Sequence, residues 1–385
     1  MIGAVNLGEF SVRGALRSAG SMVGGAALAV IPATTLSISS RLFDTQAQGI
    51  ISTFVMAGTF LGQLSFAIIV ESRLSTPGTA RRVTFPRWFV VLGVVASLMV
   101  MAAPLHPALV CLSVPILLAC LEVGRGVSVA ERRDSQEMIS SLAVGLGAVL
   151  GLGLAYTPYA VLAFIPVGAG IGTATLVRAR HMDHEASRAD PSIRNWVLLD
   201  TAITGVSYPV VNALLLGLIG PVQAVLFTAV STVTGLLAIP LTFMRLRLLK
   251  EHSPLDIALA ATALVGAVGV LIVLDVTGLL GFVFGEAWRT TPMLLPLLAA
   301  SAWRAASLPT TITFTSLRRA GRARLMTGLR ALSAVLTFGL AMAGVLSGQL
   351  TLVFVGLLVA ELASAVLYEV VHRRVLGRSS YRGAH

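Results

Sequence analysis

The chain has 385 residues, of which 56% are hydrophobic and only 12% are charged, and its formal net charge is +11. Because an ordinary soluble domain carries about 25% charged residues, this composition excludes a typical soluble globular protein. Apolar runs of about 20 residues recur along the whole chain and predict an all-α, multi-pass membrane protein. The basic residues fall in short clusters between these runs, which indicates membrane topology rather than a nucleic-acid partner.

The apolar runs predict about twelve transmembrane helices, and an even number of spans places both termini on one side of the membrane. The predicted spans are 17–39, 48–70, 87–104, 107–124, 138–155, 158–178, 196–218, 222–244, 255–275, 290–317, 325–346 and 350–371. The basic residues lie on, or at the membrane edge of, the side that holds both termini, except Arg41 and Arg289 on the other side and Arg304 within a span. Cytoplasmic loops carry the excess of Lys and Arg, so both termini are predicted to be cytoplasmic, in a multi-pass protein of the cell membrane.

A long polar stretch divides the predicted helices into two groups. It predicts a six-helix bundle over residues 1–178, a cytoplasmic linker over 179–195 and a second six-helix bundle over 196–385. Two bundles that start from the same side are predicted to be parallel repeats about an axis along the membrane normal. The linker holds His181, Asp183, His184 and Glu185, but with no further ligands nearby we interpret it as a solvated loop rather than a metal site.

Sequence motifs of known chemistry give no candidate for catalysis or for a cofactor. The chain contains no Gly-x-Ser-x-Gly elbow, no His-Glu-x-x-His and no phosphate-binding loop. Gly168-Ala169-Gly170-Ile171-Gly172 has the glycine spacing of a dinucleotide loop, but it lies inside an apolar span, where close helix packing is the better interpretation. Cys111 and Cys120 share one apolar run and are predicted to be buried free thiols.

The strongest candidate site is a pair of opposite charges at similar membrane depth. Arg304 lies near the middle of the tenth predicted span, and Glu361 lies near the middle of the twelfth. A charge at the bilayer centre costs about 2.5–3.5 kcal/mol on insertion scales, so such residues are usually functional and usually have a partner. We expect the two side chains to face each other or one wet cavity, either as a transport site or as a structural lock between two helices.

Other intramembrane polar residues are weaker candidates. Gln63 in the second span and Asn212 in the seventh are assigned to the candidate cavity. Glu71, Glu122 and Asp200 lie close enough to the cytoplasmic interface to be interpreted as solvated.

Four short motifs resemble those of one transporter family. They are Ser39-Ser40-Arg41-Leu42-Phe43 with Gly49, the turn Leu216-Gly217-Leu218-Ile219-Gly220-Pro221, the element Val283-Phe284-Gly285-Glu286-Ala287-Trp288, and the loop Arg319-Ala320-Gly321-Arg322. The chain resembles the polysaccharide-flippase (O-antigen translocase) branch of the multidrug/oligosaccharidyl-lipid/polysaccharide exporter superfamily. Asn212-Ala213 stands where many relatives carry an Asp-Arg pair. Arg41, in the first motif, is added to the candidate cavity residues.

The resemblance implies two six-helix bundles around a central cavity, with a lipid-linked oligosaccharide carried to the outer leaflet by alternating access. The expected partners are this lipid-linked sugar, membrane lipids and other proteins of envelope polysaccharide assembly, with no nucleic acid. A cationic Arg304 fits an anionic diphosphate headgroup. Two alternatives stay open: a multidrug or small-cation exporter of the same superfamily, and a membrane scaffold that does not transport.

Overall fold

The computed structural model describes residues 12–75, 83–179, 190–237, 254–319 and 323–382, and nearly all of these residues are helical. Within these ranges we number twelve long helices in chain order. They are α1 Val12–Leu42, α2 Thr45–Leu74, α3 Arg87–Met101, α4 Pro107–Ala130, α5 Asp134–Leu154, α6 Phe164–Ala179, α7 Pro191–Leu218, α8 Pro221–Gly235, α9 Pro254–Val276, α10 Leu294–Arg319, α11 Ala323–Leu346 and α12 Leu350–Arg382. Two short helices, Leu279–Phe284 and Glu286–Thr290, lie between α9 and α10.

These helices confirm the predicted class, an all-α multi-pass membrane protein. Seven described helices are long and apolar enough to cross a membrane: Thr45–Leu74, Pro107–Ala130, Asp134–Leu154, Ala160–Ala179, Pro191–Leu218, Thr327–Leu346 and Leu350–Arg374. Four shorter apolar helices accompany them: Ala27–Leu42, Arg87–Met101, Pro221–Gly235 and Ala261–Val276. α10, which carries Arg304, falls in neither group on its described residues. Most of the predicted linker and the end of the predicted 222–244 span lie outside the described residues.

In the N-terminal half (α1–α6), glycines let the helices approach closely. α5 packs along α6, and α2 packs along α4. A Cβ atom at Gly147 would come within 2.4 Å of the Pro166 carbonyl oxygen, and one at Gly170 within 2.4 Å of the Ala143 oxygen. These contacts confirm that the glycine-rich run in α6 serves helix packing. Cys111 and Cys120 are buried and free, as predicted.

In the C-terminal half (α7–α12), α12 packs against both α10 and α11, and α7 packs against α8 and α11. The apolar core of this half includes Phe227 and Phe354, whose stacked ring centroids are 5.2 Å apart. The two halves meet chiefly where α2 packs on α7 and α8. Glycine again permits the approach, because a Cβ atom at Gly49 would lie 2.6 Å from Cβ of Pro221.

Two helices of the C-terminal half contain a proline in their interior. α7 is divided into Pro191–Gly205 and Ser207–Leu218. Pro209 has no N–H to donate to the Gly205 carbonyl, and its ring crowds that carbonyl, which accounts for the break. Pro309 lies inside α10, which continues through it as one helix. Such kinks are tolerated inside membranes where the freed backbone is buried in protein or lines a wet cavity.

Candidate functional site

A polar cavity of about 220 Å³ lies among α7, α10, α11 and α12. It is lined by Thr204, Ser207, Tyr208, Thr310, Thr311, Arg330, Ser333, Ala334, Thr337, Glu361, Ser364 and Tyr368. Ser207 and Tyr208 follow the break in α7, and Thr310 follows Pro309 in α10. Both proline-containing stretches therefore border the cavity, which is where breaks in intramembrane helices are tolerated.

Glu361 is the carboxylate of this cavity. Its Oε1 atom accepts a hydrogen bond from the Thr310 hydroxyl at 2.5 Å. The same hydroxyl lies 2.9 Å from the Ser307 carbonyl oxygen, which is therefore a second acceptor for it. α12 thus contributes an acid whose nearest partner is a neutral hydroxyl on α10.

A second acid and a cation meet beside the cavity. Arg330 of α11 forms an ion pair through Nη1 with Oδ2 of Asp200 on α7. Their side chains are 17% and 28% exposed, so the pair is only partly shielded. Asp200, interpreted as solvated from its sequence position, is thus partly exposed and paired, and its partner Arg330 is one of the basic residues assigned to the cytoplasmic side.

Arg304 lies on α10, two turns before Thr310, and does not line the cavity itself. Its guanidinium carbon is 4.0 Å from the ring centroid of Trp303, a cation–π contact. Trp303 in turn packs against Tyr208, with ring centroids 5.5 Å apart, and Tyr208 lines the cavity. The Arg304 Nε atom is buried and has no hydrogen-bond partner among the described residues.

Arg304 and Glu361 lie on neighbouring helices, but no direct ion pair joins them among the described side chains. Tyr208 and Glu361 are close enough to Arg304 to interact with it electrostatically. Among the described residues the structure therefore shows neither the predicted direct pair nor a cavity that both side chains line. Glu361 lines the cavity and bonds to Thr310. Arg304 stacks on Trp303, which packs against Tyr208 at the cavity wall.

Asn212 lies in a different environment, a packed contact between the halves. Its side chain is fully buried, and its Nδ2 donates to the Ala224 carbonyl at 2.8 Å and to the Thr228 hydroxyl at 2.7 Å. Its Oδ1 accepts from the Thr53 hydroxyl of α2 at 2.7 Å. With these bonds Asn212 joins α7, α8 and α2, and it does not line the cavity.

Gln63 and Arg41 also lie apart from the cavity. Gln63 is exposed on α2, beside Gly205 at the break in α7. Arg41 ends α1 and donates hydrogen bonds to the backbone of the short helix Leu279–Phe284. Of the five predicted site residues, the structure brings only Arg304 and Glu361 near each other.

Sequence reasoning missed a buried ion pair in the N-terminal half. Nη2 of Arg178 on α6 donates to both carboxylate oxygens of Glu137 on α5, at 2.9 and 2.7 Å. The two side chains are 5% and 4% exposed. Ser141 also donates to Glu137, at 3.1 Å. Glu122, which was interpreted as solvated, is half-buried and lies near enough to Arg178 for an electrostatic interaction.

The sequence does contain a pattern that predicts the cavity, but it lies in repeated polar residues rather than in single charged residues. Polar residues recur every three or four positions on three helices, which places them on one helical face. These stripes are Asp200, Thr204, Ser207 and Tyr208; Arg330, Ser333 and Thr337; and Glu361, Ser364 and Tyr368. Three polar stripes in otherwise apolar spans predict a shared wet interior better than any one residue does.

The fold and the site define a multi-pass helical membrane protein with a polar cavity inside its C-terminal half. An inward-facing multidrug resistance MATE family transporter of the MOP superfamily has a similar structure, with a TM-score of 0.56 and 14% identity over 94% of this chain and 100% of that chain. An outward-facing transporter of the same description gives a TM-score of 0.53 and 14% identity over 94% and 95% of the two chains. A MATE in complex with MaL6 gives 0.52 and 14% over 94% and 96%.

These likenesses establish the fold, which is that of the MATE transporters of the MOP superfamily. No protein-family model and no curated protein sequence matches the chain. The polysaccharide-flippase branch remains a prediction from the sequence motifs.

Proposed function

We propose that this protein is a membrane transporter that moves an anionic lipid-linked sugar across the membrane by alternating access. The observation that carries the proposal is the state of Arg304. Its guanidinium lies mid-helix on an aromatic surface, its Nε atom is buried, and among the described residues no acid forms an ion pair with it. A cation held this way at membrane depth offsets the cost of drawing a diphosphate into low dielectric, and its planar donors match phosphate oxygens.

The cavity serves a different purpose in this proposal. A water molecule takes about 30 Å³ of liquid volume, so about 220 Å³ accommodates a few waters, an ion or one small headgroup. We assign the path of the sugar chain to the contact surface between the two halves. Other envelope polysaccharide assembly proteins would supply and receive the lipid-linked sugar.

Glu361 gives this transporter a coupling group. The Thr310 hydroxyl has one proton but contacts two acceptors, the Ser307 carbonyl and Glu361. A protonated Glu361 resolves the conflict, because it donates to Thr310 while Thr310 donates to Ser307. We therefore assign to Glu361 the uptake and release of a proton as the transporter changes state.

A second candidate function is export of small organic cations. Glu361, Tyr208 and Tyr368 line the cavity, and carboxylates with aromatic faces suit a cationic ligand. The similar structures are described as multidrug resistance transporters, which fits this candidate equally well. A scaffold role is less well supported, since Glu361 lies at a cavity rather than in packed protein.

Proteoliposome assays separate the two candidates. A fluorescent polyprenyl-diphosphate sugar and a small aromatic dye cation serve as alternative substrates. For the flippase, Arg304→Ala should abolish movement of the sugar lipid, Arg304→Lys should retain part of it, and the exposed Arg373→Ala control should match wild type. Dye efflux that depends on Glu361 and is indifferent to Arg304→Ala would establish the second candidate instead. Full sugar-lipid movement by Arg304→Ala would overturn the role of Arg304.

A further inference from the structure

Three segments that are far apart in the chain meet at the predicted outer side of the protein. They are the end of α1, the connection between α5 and α6, and the short helix Leu279–Phe284. The first two belong to the N-terminal half and the third to the C-terminal half. This junction is distinct from the cavity and from the Asn212 contact.

The guanidinium of Arg41 contacts both of the other segments at this junction. Nη2 of Arg41 donates to the Phe282 carbonyl at 2.6 Å, and Nη1 donates to the Val283 carbonyl at 3.2 Å. The guanidinium carbon also lies 3.9 Å from the ring centroid of Tyr156. The Ser37 hydroxyl of α1 adds a bond to the Val283 carbonyl at 2.5 Å.

Tyr156 completes the contact from the α5–α6 connection. Its ring stacks on Phe282 with centroids 4.1 Å apart and an interplanar angle of 10°, and its hydroxyl donates to the Phe282 carbonyl at 2.5 Å. The Phe282 carbonyl thus accepts from two different segments of the N-terminal half. Arg41, Tyr156 and Phe282 therefore form one layered contact across the two halves.

The local sequence explains why these carbonyls are available. The last carbonyls of a helix have no intrahelical partner and carry partial negative charge. The helix ends after Phe284, because Gly285 adopts a φ of 85° that ordinary side chains disfavour. A Cβ atom at Gly285 would also lie 3.1 Å from Oγ of Ser40. Glycine at this position thus both ends the helix and admits α1 to its carbonyl end.

The chain offers a matched comparison for Arg41. Arg289 donates from Nε to the Gly281 carbonyl at 3.1 Å. This bond joins the same short helix to an arginine, but both partners lie in the C-terminal half. The two arginines therefore have similar chemistry and differ in whether the contact crosses between halves.

We propose that Arg41 is the latch of an outer gate. It holds the outer ends of the two halves together in this closed arrangement, and its bonds to Phe282 and Val283 break when the outer side opens. The proposal relies on alternating access in the proposed function, but the closed contact exists whatever the substrate is.

The test measures distance across the latch in protein reconstituted in lipid nanodiscs without substrate. Spin labels are placed on cysteines at Thr157 and Thr277, both exposed, in a background where the buried Cys111 and Cys120 are replaced by alanine. Arg41→Gln should raise the ratio of long-distance to short-distance populations roughly tenfold, because charge-assisted bonds to two carbonyls are lost. Tyr156→Phe, which keeps the ring and loses one bond, should shift it less, and Arg289→Gln should leave it unchanged.

The outcomes are separable. A distance distribution in Arg41→Gln and Tyr156→Phe identical to that of the parent would overturn the latch, as would an equal shift in Arg289→Gln. Because no transport is measured, a shift in Arg41→Gln supports the latch even if the protein carries neither substrate class. Should Arg41→Gln fail to fold, the comparison of Tyr156→Phe with Arg289→Gln decides the question alone.

Discussion

Each half of the protein contains an arginine–carboxylate pair, and the two pairs differ in solvent exposure. In the N-terminal half, Arg178 and Glu137 form a bidentate pair in which both side chains are about 5% exposed or less. In the C-terminal half, Arg330 and Asp200 are more exposed and lie beside a polar cavity that Glu361 also lines. A fully enclosed pair has no room to exchange partners, whereas a pair beside a wet cavity does. We therefore expect the Arg178–Glu137 pair to be structural, whereas a functional role for the charges beside the cavity belongs to the proposed function.

The largest expected effect follows from breaking the enclosed pair. Glu137→Gln removes the acid that bonds to buried Arg178 and leaves it only the longer-range interaction with Glu122. Breaking a buried pair by removing one partner typically costs about 3–5 kcal/mol in the free energy of unfolding. The measurement is chemical denaturation in detergent micelles. Glu369→Gln is the matched control, because it breaks an exposed pair with Arg373 on α12 and should change stability by about 0.5 kcal/mol or less. Equal stability of the two variants would remove the distinction between the halves.

A smaller loss is expected at the contact between the halves. Asn212→Leu removes the hydrogen bonds that join Asn212 to half-buried Thr53 and to buried Thr228 and Ala224, and a hydrogen bond contributes about 0.5–1.5 kcal/mol net to the free energy of unfolding. The same denaturation assay measures it, with Thr262→Val on an exposed face of α9 as a near-neutral control. An Asn212→Leu protein as stable as the control would mean that this contact does not hold the halves together.

Double-mutant cycles sharpen the comparison within the C-terminal half. Asp200→Asn with Arg330→Gln should show a coupling energy of about 0.5–3 kcal/mol, because the two side chains contact each other. Arg304→Ala with Glu361→Ala should show a smaller coupling energy than the first cycle, since these residues interact electrostatically but no ion pair joins them in the described structure. Strong coupling in the second cycle would restore the direct pair that the sequence predicted.

The number of helices, their order and the general class could be predicted from the sequence, because the length of each apolar run is a local property. The partners of charged residues could not, because they depend on how helices rotate about their axes. Arg304 and Glu361 were predicted to pair because they lie at similar depth in their spans. In the folded protein, Glu361 bonds to Thr310 and Arg330 pairs with Asp200, because the rotation of each helix decides which side chains face each other.

Asn212 and Arg178 are two further residues whose partners could not be predicted from their position in the sequence. Asn212 was predicted at the cavity because an amide inside a span is unusual, but three local hydrogen bonds place it in packed protein. Arg178 was counted with the cytoplasmic arginines because it ends a span, yet Glu137 holds it inside. Sequence position gives the depth of a residue, and only the packing gives its neighbours.

Water access measures the difference between the halves most directly. Ser333 lines the C-terminal cavity, and Ser141 bonds to Glu137 in the N-terminal half, so single cysteines at these positions sample the two environments. The rate of reaction with a small hydrophilic thiol reagent is measured in a background lacking Cys111 and Cys120. We expect Ser333→Cys to react and Ser141→Cys to stay unmodified while the protein is folded. Equal reaction at both positions, or reaction only at Ser141→Cys, would contradict the assignment of the functional site to the C-terminal half.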